Sequence, residues 1–96
     1  MIYMVQKGSF GERRFFSTKK SAEKIGGNIT EMDVSENERL YRVHISQPGT
    51  CPTDFNAAIF RCRNKAEAER KGREYIRRWE IVGEVILGVF PVAIED

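Results

Sequence analysis

Apolar and polar side chains alternate with a two-residue period over several short stretches of this chain, and with a helical period over two others. The alternation is cleanest at Leu40–Ser46, where Tyr41, Val43 and Ile45 fall on one side and Arg42 and His44 on the other. That is the signature of a half-buried strand, and it predicts that His44 faces solvent. Ala58–Cys62 repeats the pattern, with Ala58, Phe60 and Cys62 on one face. Ile2–Gln6, Arg13–Phe16 and Ile29–Val34 read as further strands. Glu84–Ile94 reads as the last one, apolar on both faces as an interior or partner-covered strand would be. Pro91 brings no N–H to a ladder, so its end of that strand belongs at an edge or a bulge.

The helical period is strongest over Lys65–Trp79. Ala68, Gly72, Tyr75, Ile76 and Trp79 share one face. Asn64 is suited to cap the first turn, and Glu67, three residues on, completes a capping box. Glu67/Lys71, Glu69/Arg73 and Glu74/Arg78 have the favourable acid-first spacing. Gly72 lies on the apolar face, which predicts a close approach to a sheet at a helix-propensity cost of roughly 1 kcal/mol. A shorter helix is expected between a Ser17 or Thr18 cap and Gly26-Gly27, with Ala22 and Ile25 as its apolar contacts. Such a short helix depends on packing.

Each half of the chain therefore reads strand, connection, strand, helix, strand. Lys19, Ala22-Glu23-Lys24 and Gly26 return at the same spacing as Lys65, Ala68-Glu69-Arg70 and Gly72. The expected fold class is α+β: a two-layer sandwich of a mostly antiparallel sheet with two helices on one face, carrying a ββαβ pseudo-repeat and ferredoxin-like in general style. Residues 1–96 are expected to make a single α+β domain, since 96 residues with 41% hydrophobic side chains supply one core.

The net charge of +2 hides blocks of opposite sign. Residues 1–24 hold six basic and two acidic side chains, 25–60 two and five, 61–79 eight and three, and 80–96 none and four. The balance excludes a uniformly basic nucleic-acid binder, while both helical segments remain basic. No stretch reaches the roughly 18 apolar residues of a membrane helix, and Met1–Val5 lacks the basic start of a signal peptide. No membrane association and a cytoplasmic location are the expectation. In that compartment Cys51 and Cys62 are expected to be free thiols.

Candidate chemistry is sparse. His44, Cys51 and Cys62 are too few and wrongly spaced for a structural zinc site, and no catalytic set, metal site or cofactor is expected. Val5-Gln6-Lys7-Gly8-Ser9-Phe10, then Arg13, Phe16 and Ala22-Glu23-Lys24-Ile25-Gly26, resembles the opening of the acylphosphatases. That resemblance implies two helices on one sheet and a backbone phosphate cradle with an arginine after the first strand. The family's Gly/Val cradle pattern is broken here, and the asparagine that the family carries after its second strand has no counterpart following Ile29–Val34 until Asn37.

The candidate binding surface is the basic face of the second helix. Arg70, Arg73 and Arg77 lie opposite its apolar face, Lys71 and Arg78 flank them, and Arg61 and Arg63 precede them. Three functions are weighed from this. The first is a small non-enzymatic protein acting on a protein partner, in the manner of phage- or mobile-element-type accessory and inhibitor proteins. The second is a nucleic-acid-binding module using that arginine face, and the third an acylphosphatase-like hydrolase. A homodimer through the last strand is a further expectation.

Overall fold

The computed structural model describes residues 1–6, 13–49, 57–78 and 83–96. In chain order the elements are β1 (Ile2–Gln6), β2 (Arg13–Phe16), α1 (Lys19–Ile25), β3 (Asn28–Met32), β4 (Arg39–Ser46), β5 (Ala57–Cys62), α2 (Lys65–Arg78) and β6 (Val85–Pro91). They form two compact units, Met1–Ser35 with Val92–Asp96, and Glu36–Pro91. Each unit holds one three-stranded antiparallel sheet and one helix. The strand orders are β2-β1-β3 and β5-β4-β6.

The fold is thus α+β with antiparallel sheets, as the periodicity predicts, but the strands divide between two sheets and each helix packs on its own. The reason lies in the connections. Each hairpin brings its two strands together, and each helix returns the chain to the free side of the hairpin's first strand. Pairing among the six strands therefore stays within the half that encodes it. The polar stretch Ser35–Glu38 then lies between the halves in the sequence. The two ββαβ halves share one topology. The likeness to a ferredoxin-like fold extends only to a helix joining two strands that flank a third.

In the first unit β1 is central. Val5 stands between Arg14 of β2 and Ile29 of β3, and Tyr3 between Phe16 and Glu31. Val5, Phe16 and Ala22 form the core beneath α1, with Tyr3, Ile25 and Ile29 packed against it. The Thr18 side chain caps α1 by accepting from the Ser21 N–H at 3.3 Å. Gly26, at φ 73°, ends the helix in a backbone region that side chains avoid. Phe15 points to the other face from Phe16, yet it too is buried, at 1% exposure.

In the second unit β4 is central. Tyr41, Val43, Ile45, Cys62, Ala68 and Val89 make the core, supported by Phe60, Ile76 and Ile86. Asn64 Oδ1 accepts from the Glu67 N–H at 2.8 Å, so the predicted cap is in place, but the Glu67 carboxylate turns to Lys71 and does not close the predicted capping box. The predicted close approach at Gly72 is also present: a Cβ there would lie 2.8 Å from Val43 Cγ1 and 3.0 Å from Ile86 Cδ1. β6 is an edge strand, and Pro91 stands at its end, opposite Tyr41. A register shift gives β6 one extra residue, Leu87, between the pairs His44–Gly88 and Ile45–Ile86.

His44 corrects the sequence expectation, being buried at 7% exposure. As the central strand, β4 has neighbours on both sides, and alternation alone does not tell whether a second face is open. On that second face Leu40 is 3% exposed. The Phe90 ring lies edge-on to His44, with centroids 5.4 Å apart. Phe90 reaches this position because Gly88, opposite His44, has no side chain. A Cβ at Gly88 would lie 2.6 Å from the ring.

Candidate binding surface

The outward face of α2 follows from its amphipathic period. Ala68 and Gly72 sink onto the sheet, so residues half a turn away must face water. Arg70, Arg73, Arg77 and Arg78 are all exposed there, as are Arg61 and Arg63 just before the helix. The structure therefore brings most of the predicted basic residues to the surface.

Their charges are partly neutralised in place. Arg70 Nη1 donates to Glu74 Oε1 at 2.6 Å. Arg61 Nε lies 3.6 Å from Glu38 Oε1. Lys71 has a structural task, donating from Nζ to the Arg61 carbonyl at 2.6 Å while Glu67 Oε1 sits 3.4 Å away. It thereby ties the middle of α2 to the end of β5. Glu67 thus serves Lys71 with its carboxylate and the Asn64 cap with its N–H. Among the described residues, Arg63, Arg73 and Arg77 carry no ion pair.

Beside this stripe the fold builds something that the charge pattern does not show. A groove of about 360 Å³ opens between α2 and β6, lined by Arg73, Ile76, Glu84, Val85 and Ile86. Its floor is apolar, and Arg73 and Glu84 bring opposite charges to it. Val85 is 42% exposed and Phe90, further along β6, is 47% exposed. The sequence contained one sign of this surface, the apolar character of both faces of the last strand. The groove itself depends on Ile76 and Ile86 meeting from different elements.

The sites considered for chemistry are less developed. Cys62 is a free, fully buried thiol whose pKa is raised by burial, an effect that the nearby Lys71 ammonium partly offsets. It is a core side chain, as expected. Cys51 and Trp79 fall outside the described residues, as does the Lys7–Glu12 segment central to the acylphosphatase resemblance. That segment joins β1 to its antiparallel neighbour β2. Among the described residues no three His, Cys, Asp or Glu side chains gather where they could hold a metal ion. No helix among them is long and apolar enough to cross a membrane.

No protein-family model, no curated protein and no solved structure matches the chain.

Proposed function

We propose that this chain is a small non-enzymatic protein that works by binding another protein through the α2–β6 side of its second unit. The observation that carries this reading is the apolar groove with Arg73 and Glu84 at its sides. A surface with an apolar centre and two-signed charge around it suits a protein partner. The centre supplies affinity by excluding water, and the charges set orientation. A partner would place an aliphatic or aromatic side chain over Ile76, Val85 and Ile86. Arg73 and Arg77 would meet acidic groups beside it.

Nucleic acid is the second reading, favoured by the exposure of Arg63, Arg73 and Arg77. Against it, Glu74 and Glu38 sit within the same basic stripe and would repel phosphates. Self-association through β6 is the third. The extra residue at Leu87 and the proline at 91 both interrupt the edge that such a pairing needs.

The test is capture from the source cell with the wild-type chain and with Val85→Asp, an exposed position where a carboxylate leaves the core intact. The expected result is a specific protein retained by the wild type and lost with V85D. A protein set unchanged by V85D sinks the reading. A salt-sensitive gel shift with bulk nucleic acid, reduced by Arg73→Glu/Arg77→Glu, would replace it with the second. A dimer in sedimentation that V85D dissociates would replace it with the third.

A further inference from the structure

The outer edge of β2 is occupied by a segment from far along the chain. Glu95 forms a parallel bridge with Phe16. The Ser17 N–H donates to the Glu95 carbonyl at 2.9 Å, and the Glu95 N–H donates to the Phe15 carbonyl at 2.7 Å. Side chains fix the register. Arg14 grips the Glu95 carboxylate with two bonds, Nε to Oε2 at 2.9 Å and Nη2 to Oε1 at 2.6 Å. The Ser17 hydroxyl donates to Asp96 Oδ1 at 3.1 Å. Ile94–Asp96 is thus bound as an extended peptide adding to a sheet edge. Backbone pairing holds it, and a guanidinium fork reads one acidic side chain.

We infer that the β2 edge is a docking site for an extended acidic peptide of a partner protein, and that Ile94–Asp96 occupies it in cis. The site lies in the first unit and does not depend on the α2–β6 reading. Two features make the occupant exchangeable. The strap has no deep apolar anchor, since Ile94 is 39% exposed. The Arg14 and Glu95 side chains are each 43% exposed, so water can reach the fork and compete for it. The peptide that fits carries two adjacent acidic residues, the first opposite Arg14 and the second beside Ser17. The exposed Lys19 and Lys20 next to this corner add attraction for such a sequence. In cis the strap has the advantage of a high effective concentration, so the edge answers to a partner when the strap is weakened or outcompeted.

The experiment is a fluorescence-anisotropy titration of a labelled peptide with the sequence of residues 91–96. It is run against the full wild-type chain, Glu95→Lys, and the charge swap Arg14→Glu/Glu95→Lys. Glu95→Lys sets two cations against each other and loosens the strap, so this variant is expected to bind the peptide about tenfold or more tightly than the wild type. A peptide with Gln in place of its Glu should lose most of that affinity, and the charge swap should close the edge again. Equal binding of the Glu and Gln peptides, or no binding to a folded Glu95→Lys chain, overturns the inference. If that variant does not fold, amide spectra of the wild-type chain with millimolar peptide decide the matter. Shifts centred on Phe15–Ser17 and Glu95 support the site, and unchanged spectra reject it.

Discussion

Single residues in this protein settle where elements can approach one another. Gly72 is the clearest case. Alanine there would gain roughly 1 kcal/mol of helix propensity. It would also place a methyl group 2.8 Å from Val43 Cγ1 and 3.0 Å from Ile86 Cδ1. Ile86 Cδ1 ends a flexible side chain and can turn away. Val43 is β-branched, fully buried and stiff, so it cannot. Overpacking of this kind costs about 1–3 kcal/mol, which outweighs the propensity gain. Gly72→Ala is therefore expected to lower stability by about 1 kcal/mol, read as a lower midpoint in urea. An increase in stability would show that α2 can lift from the sheet without loss. His44 gives the matching lesson for polar residues. Its position on the Arg42 side of the alternation suggested water, yet Phe90, folded over Gly88, covers it.

At the scale of elements, α2 is fixed at its start and in its middle by different means. Asn64 accepts the Glu67 N–H, and Lys71 crosses to the Arg61 carbonyl at the end of β5. Asn64→Ala removes an acceptor from a helix end that has few alternatives, at an expected cost of about 1 kcal/mol. Asn64→Asp should restore most of it. Thermal unfolding of the two variants checks this, and equal loss in both would mean that the cap contributes nothing through its oxygen. The cap, the glycine on the apolar face and the acid-to-base order of Glu67 and Lys71 were all legible in the sequence, because each depends on spacing within one helix. The pairing of Glu74 with Arg70 was not. Glu74 has a basic residue four positions away on either side, so spacing alone did not single out Arg70.

At the scale of the whole molecule, the chain builds one ββαβ arrangement twice, and the first copy is completed by residues that follow the second. The strap makes a pH dependence that can be assigned to one group. Arg14, by hydrogen bond and charge, holds the Glu95 carboxyl below the usual glutamate range. A group with a lowered folded pKa stabilises the fold fully above its unfolded pKa, roughly 4.3 for glutamate, and loses that effect as pH falls through the folded value. The stability difference between the wild type and Glu95→Gln should therefore be constant at neutral pH and vanish as the solution is made strongly acidic. A difference that persists in strong acid would place the effect of the substitution elsewhere than the Arg14–Glu95 charge pair.

The sequence by itself determined the order of the elements, the helix caps and the core-facing side of most elements, while the strand ends were legible only approximately. Hydrophobic period, caps and glycines act over a few neighbouring residues, and those neighbours are visible in one dimension. It also located the basic stripe of α2, because a helix converts spacing into a face. Tertiary structure alone decided that six strands make two sheets, that His44 is covered, that Lys71 serves β5, and that Ile76 and Ile86 line one groove. It also set Glu95 against Arg14, residues near opposite ends of the chain. Each of these depends on a contact between distant segments, whose formation rests on shape and on which competing surface is buried first, information that no local pattern of residues carries.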